Sequence, residues 1–289
     1  MKLAQSKLAL RELLDMGTAG TIGFVPTMGA LHQGHLSLVE KSISECDRTV
    51  ISIFVNPTQF NDRRDLERYP RNLEQDLSLL EPLLDPDDIV FTPEYSDLYR
   101  DEKSFELDLE GLDKVMEGKY RSGHFEGVVR VVKLLFEAVR PGKAYFGQKD
   151  FQQLTIIRTM VRKLGMAIDI VSCPVLREPN GLAMSSRNER LAPDQRSAAS
   201  VIYRTLKENS RLHSPSQLSM AEKIISDTIN STPGFTVEYF DVVDNVNLRK
   251  VSPGSLLSPD RQYFGCIAVY AGEIRLIDNV EFSFQLLKG

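Results

Sequence analysis

The chain has 289 residues, of which 42% are hydrophobic and 26% charged, the composition of an ordinary soluble globular protein with room for two domains of roughly 150 residues. Its 35 basic and 40 acidic residues leave a formal net charge of -5, which argues against the basic surface that general nucleic-acid binding wants, while a few local cations still suffice for a small anionic ligand. No run approaches the ~20 apolar residues of a membrane span, and the polar-interrupted start from Met1 to Lys7 has no leader-like apolar core, so no membrane association is expected.

Taken in order, residues 3 to 16 read as a helix with Leu3, Leu10, Leu13 and Leu14 on one face and Gly17 as its stop. A short apolar strand from Thr21 to Val25 ends at Pro26, and a helix opens at about Gly34 and runs to Glu45. The next strand, Thr49 to Val55, is apolar nearly throughout, as a strand covered on both faces should be. Strand, helix and strand make a βαβ unit, whose two loops, 26–33 and 56–60, then leave from the carboxyl edge of a parallel sheet. A helix from Leu73 to Leu84, a strand from Asp88 to Thr92, an alternating segment from Phe105 to Leu109 and a helix from about Phe125 to Arg140 follow. A strand from Lys143 to Phe146, a helix through Phe151, Leu154, Ile157, Val161 and Leu164, and a strand from Ile168 to Val171 complete this half.

The character then changes. Arg177 to Gly181 is turn-rich and Leu182 to Asn188 is small and polar, the composition of a mobile loop. Helices at about Pro193–Asn209 and Leu218–Asn230, separated by the polar stretch Ser210 to Ser216, precede strands at Thr236–Val243 and Tyr263–Ile277, the latter turning at Ala271-Gly272. The expected architecture is α/β: a Rossmann-like parallel sheet flanked by helices over residues 1–175, with a smaller α+β domain over 176–289. The three cysteines, Cys46, Cys173 and Cys266, are odd in number and lack metal-ligand spacing, so free thiols in the cytoplasm are expected.

The chemistry concentrates in the loop after the first strand of the βαβ unit. Gly29-x-x-x-x-Gly34-His35-Leu36 approaches a P-loop, but His stands at the lysine position and Leu at the magnesium-binding hydroxyl position. What remains is His32-x-Gly34-His35 at a helix N-terminus, where unpaired backbone N–H groups form a natural phosphate seat that two imidazoles can share. The plainer reading is one capping and one surface histidine. Lys149 and Asp150 follow a strand and open a helix, suiting a phosphate and a ribose hydroxyl, or else an exposed lysine and a capping acid. Asn56 and Gln59 could face a substrate or satisfy loop backbone. Met184-Ser185-Ser186-Arg187 has the hydroxyls and guanidinium that suit a triphosphate. His124 reads first as a helix-start cap and Asp76 as a solvated helix acid. Two functions remain open on these residues alone: a nucleotidylyltransferase that stops at its adenylylated product, and a nucleotide-binding regulator.

The segments Pro26-Thr-Met-Gly-Ala-Leu-His-x-Gly-His35, Asn56-Pro-x-Gln-Phe60, Tyr69-Pro-Arg71, Gly123-His-Phe-x-Gly-Val128, Phe146-Gly-x-Lys-Asp-x-Gln-Gln153 and Arg177-Glu-x-x-Gly-Leu-Ala-Met-Ser-Ser-Arg-Asn188 resemble, in order and spacing, the pantoate–β-alanine ligase (pantothenate synthetase) family of the nucleotidylyltransferase superfamily. The resemblance covers residues 26 to 188; the last hundred residues match in general character. It implies ATP-dependent joining of pantoate to β-alanine through a pantoyl adenylate, with Mg²⁺, in a cytoplasmic homodimer. It further implies an ATP-binding loop of Met28, Gly29, Ala30, Leu31, His32, Gln33, Gly34 and His35, with His35 as proton donor and His32 and Lys149 acting on phosphates. Gly147, Gln148, Lys149 and Asp150 would form a second ATP segment, Leu176 a backbone contact to adenine, and Met184, Ser185, Ser186 and Arg187 a closing loop. Gln59, Gln153 and Asn56 would hold the substrate acid, and Asp76 would lie near magnesium. A triphosphate beside imidazole favours the protonated ring, which would make His35 a cationic donor.

Overall fold

Short apolar strands joined by amphipathic helices leave each strand's backbone to pair with a neighbour brought beside it by the helix between them. A computed structural model of the chain describes residues 1–16, 20–100, 102 and 104–284, so the helix stop expected at Gly17 lies outside the described residues. Six strands, β1 (Lys2–Ala4), β2 (Ile22–Thr27), β3 (Arg48–Ile53), β4 (Ile89–Phe91), β5 (Lys143–Gly147) and β6 (Asp169–Cys173), lie in the order β1-β4-β3-β2-β5-β6. Every pairing is parallel. Val50, Ile51, Ile89, Val90 and Phe91 are all fully buried, which is why these strands are apolar without alternation.

Helix α1 (Lys7–Asp15) precedes β2, and α2 (Gln33–Glu45) crosses from β2 to β3. Helix α3 (Leu73–Leu80) precedes β4, α4 (His124–Val139) precedes β5 and α5 (Phe151–Lys163) precedes β6. The strand order reverses at β2, which has β3 on one side and β5 on the other. Parallel α/β sheets bind ligands outside the carboxyl ends of the strands at such a switch point, and the His32–His35 segment begins there.

The chain forms two compact units, Met1–Gln148 with Ile156–Pro174, and Lys149–Thr155 with Val175–Gly289. In the second, β7 (Arg211–Leu212), β8 (Phe235–Asp244), β9 (Tyr263–Ala271) and β10 (Ile274–Phe284) form a sheet in the order β7-β10-β9-β8. Its β8–β9 and β9–β10 pairs are antiparallel and its β7–β10 pair is parallel. Helices α6 (Ser200–Glu208) and α7 (Leu218–Asn230) bury Leu206, Ile225 and Ile229 in a core with Val242, Ile267 and Val269.

Local expectation fails where pairing decides. Residues 2–4 are a strand against β4, and the helix starts only at Lys7, behind Ser6, whose side chain accepts the Ala9 N–H at 3.1 Å. Three residues carry no periodicity, so the partner at 89–91 supplies the conformation. The alternating 105–109 segment has no strand assignment, while the polar 210–216 stretch contains β7. The expected helix at 193–209 is two, Pro193–Ala198 and α6.

At the end of α2, Glu45 ties this helix to the sheet: its carboxylate takes Lys41 Nζ at 2.5 Å, the Tyr145 hydroxyl at 3.0 Å and Lys143 Nζ at 3.3 Å. The Lys41 hydrogen bond, followed by those from Tyr145 and Lys143, lowers the Glu45 pKa from 4.5 to about 2. A depressed acid contributes stability that is complete above its unfolded pKa and is lost as pH falls through its folded pKa. Glu45→Gln is therefore expected to flatten the loss of stability between pH 4.5 and about 2, read from urea midpoints across that range.

Candidate active site

The loop leaving β2 uses nearly all its own backbone donors. Thr27 anchors it, its hydroxyl donating to the Ser52 carbonyl at 2.7 Å and accepting the Gly29 N–H at 3.2 Å. Asp76, buried on α3, accepts the Ala30 N–H on Oδ2 at 3.0 Å and the Leu31 N–H on Oδ1 at 2.7 Å. Gly29 sits at φ 76°, and a Cβ there would stand 2.8 Å from Asp76 Oδ2, so both the turn and the close approach require glycine.

The two histidines then close the start of α2. His32 Nδ1 accepts the Gly34 N–H at 3.1 Å, and His35 Nδ1 accepts the His32 N–H at 3.3 Å. The arrangement is a capping box built from imidazoles, with ring centroids 4.0 Å apart. Of the helix N–H groups expected to seat a phosphate, that of Gly34 is thus met by a side chain. In both rings it is Nδ1 that faces the backbone N–H.

The loop after β3 is held from α4. Gly127 Cα packs against it so closely that a Cβ would lie 2.4 Å from the Thr58 carbonyl oxygen and 2.7 Å from the Gln59 nitrogen. His124, buried at the helix start, donates from Nδ1 to the Gln59 carbonyl at 2.7 Å. Asn56 is buried and donates to Gln59 Oε1 at 3.2 Å and the Gly127 carbonyl at 3.1 Å, while its oxygen accepts the Tyr99 hydroxyl at 2.9 Å. Gln59 is thereby oriented with Nε2 donating to Met28 Sδ at 3.0 Å, and the first unit brings Met28, Gln59, Asn56 and Asp76 around the loop that carries His32 and His35. His124 and Gly127 serve as struts: the helix N-cap is Gly123, without a side-chain cap, and the His124 ring is spent on the Gln59 carbonyl rather than on capping.

The remaining expected residues, apart from Gly147 and Gln148 at the end of β5, belong to the second unit. Lys149 lies in a turn at Gln148–Asp150, Asp150 is exposed, and Gln153 is half-buried in the first turn of α5. The Leu176 carbonyl accepts the Met184 N–H at 3.0 Å, so it is committed to the stem of the 184–187 loop. Ser185 caps the short turn that follows by accepting the Arg187 N–H at 3.3 Å, and Ser186 is buried. Asn188 locks the stem, donating to Glu178 at 2.8 Å and the Ala183 carbonyl at 3.0 Å. Sequence reasoning missed Thr27, Tyr99, Asp278 and Asn279, polar residues that each also hold a group at least 25 positions away in the chain.

No three His, Cys, Asp or Glu side chains cluster as a metal-binding group among the described residues. Asp76 is buried with both oxygens on loop N–H groups, and burial raises its pKa. That environment suits a backbone clamp and does not fit a magnesium ligand, which wants an accessible carboxylate oxygen. Nor is any described helix long and apolar enough to cross a membrane.

The family model for pantoate–β-alanine ligase matches residues 2–281. The chain belongs to the pantoate–β-alanine ligase family. It is 48% identical over 282 residues to the pantothenate synthetase of Christiangramia forsetii, covering 96% of this chain and 98% of that one. The crystal structure of pantothenate synthetase from Thermus thermophilus superposes with a TM-score of 0.85 at 37% identity, covering 98% of this chain and 100% of that one. That of the ligase from Francisella tularensis, complexed with β-γ ATP and β-alanine, gives 0.79 at 35%, covering 97% of each. The fold shared with these structures pairs, in the present chain, a six-stranded parallel sheet with a smaller mixed one.

Replacing Asp76 with Asn leaves one acceptor for two buried loop N–H groups. The expected cost is about 1–3 kcal/mol of folding stability, measured from urea unfolding at neutral pH.

Proposed function

We propose that the chain joins pantoate to β-alanine at the expense of ATP, releasing AMP and pyrophosphate. The observation that carries the reading is the imidazole capping box at the sheet's switch point, within a chain matched to this ligase family over nearly its whole length. In the first step a pantoate carboxylate oxygen bonds to the α-phosphorus as the bond to pyrophosphate breaks. In the second, the β-alanine amine bonds to the acyl carbon, loses a proton and expels AMP. Neither step requires a covalent bond to the protein, so orientation and charge stabilisation supply the acceleration.

His35 donates its Nε2–H to negative charge developing on the phosphates, and His32 does the same from the helix cap. Lys149 adds a cation to the phosphates and Asp150 takes a ribose hydroxyl. Gln59 and Gln153 hold pantoate, with Asn56 orienting Gln59 through the bond described above. Residues 1–175 bind ATP and pantoate, and 176–289 act as a lid carrying Met184 to Arg187. Mg²⁺ enters as MgATP on phosphate oxygens, where it would offset their charge. A cytoplasmic homodimer accords with the family resemblance.

The deciding assay omits each substrate in turn. AMP and pyrophosphate from MgATP should accumulate together with the amide product when pantoate and β-alanine are both supplied, whereas ADP and phosphate would refute the ligase. His35→Ala should lower kcat by about 10²–10³, the usual loss for one transition-state donor. Turnover near that of the unaltered chain would remove His35 from the chemistry.

A further inference from the structure

Strand β10 carries two adjacent polar residues, Asp278 and Asn279, both buried in the second unit. Buried groups of this kind persist where their polar atoms are paired. The two Asp278 oxygens accept Arg177 at 2.6 and 2.9 Å, and Oδ1 also accepts the Asn279 N–H at 2.7 Å. Arg177 lies 3.7 Å from the Tyr203 ring centroid and donates to the carbonyls of Gly181, at 3.1 Å, and Asn279, at 3.2 Å. These contacts leave Asn279 little freedom. Its side-chain amide reaches out of the strand and donates from Nδ2 to the Lys149 carbonyl at 3.0 Å.

Lys149 follows β5 in the chain, yet its segment, Lys149–Thr155, belongs compactly with the second unit. Besides Asn279, that attachment has Phe151 against Phe264, with ring centroids 4.4 Å apart. Burial raises the Asp278 pKa, and Arg177, the Asn279 N–H and, least of all, the Lys149 charge oppose that rise. A lysine head on a flexible four-carbon stem is placed only as well as the backbone at its root. The same Arg177 that braces Asn279 holds Gly181 in the stem of the 184–187 loop, so one buried frame reaches both segments.

We infer that Asn279, braced by the Asp278–Arg177 pair, is a positioning residue for Lys149 in the reaction with ATP. This rests on the phosphate role given to Lys149 above, and the test separates the two. AMP formation is measured against MgATP concentration for the unaltered chain, Asn279→Ala, Lys149→Ala and the double variant, with the other substrates saturating. Asn279→Ala should raise the KM for MgATP about tenfold, the equivalent of one lost buried hydrogen bond, and leave the KM for β-alanine unchanged. In the Lys149→Ala background the same substitution should change the KM for MgATP less than about twofold, because a residue acting through Lys149 has nothing left to act on. Asn279→Ser, whose hydroxyl is too short to reach, provides the same comparison should the alanine variant not fold. Additive effects, an unchanged KM for MgATP or an equal rise for β-alanine would overturn the assignment while leaving the ligase in place. An unaltered chain that forms no AMP would overturn the ligase reading and this assignment with it.

Discussion

The start of α2 imposes the constraint on which the site depends. A parallel strand that hands over directly to a helix leaves a run of N–H groups with no intrahelical partner, and such groups are costly when left unpaired. Here His32 accepts the Gly34 N–H and His35 that of the N-cap His32, while Thr27 and Asp76 accept those of Gly29, Ala30 and Leu31 in the loop before the helix. Both imidazoles turn Nδ1 to the backbone, so the fold's requirement for a cap fixes how the two rings are held.

Neighbouring elements serve this arrangement by rigidity. Gly127 admits the 56–59 loop against α4 at a distance no side chain would allow, and His124 and Asn56 then fix where Gln59 stands. Asn56 spends its donors on Gln59 and the Gly127 carbonyl, so the Gln59 oxygen is already engaged and its amide nitrogen is turned to Met28 Sδ. An oriented amide of this sort recognises an acceptor oxygen, which a carboxylate or hydroxyl of a small acid provides. In the second unit the Asp278–Arg177 pair does comparable service. Its value lies in the geometry it imposes, because burying an ion pair gains little net stability.

Long periodic segments announced themselves, since a helix face or a doubly covered strand repeats its chemistry every few residues. Helix α2, the apolar β3 and the Ala271-Gly272 turn were all legible in this way. The three-residue β1 and two-residue β7 were not, because each owes its conformation to a partner strand more than 70 residues away. The alternating 105–109 segment shows the converse, a strand-like pattern with no strand assigned to it.

For the site, the sequence alone determined the chemistry that is local: His32-x-Gly34-His35 behind a strand, the Lys149 turn, the Met184–Arg187 loop, and through their joint spacing the ligase family. Those residues lie close together within each segment, so their order in the chain is also their order in space. Tertiary structure decided what each polar group is committed to. It turned Asp76 from a solvated helix acid into the clamp on the loop, turned Nδ1 of both histidines to backbone N–H groups, made His124 a strut, and brought Asn279 to the root of Lys149 across 130 positions of chain. Hydrogen bonds between distant segments carry no periodic trace, and only folding shows which donors they consume.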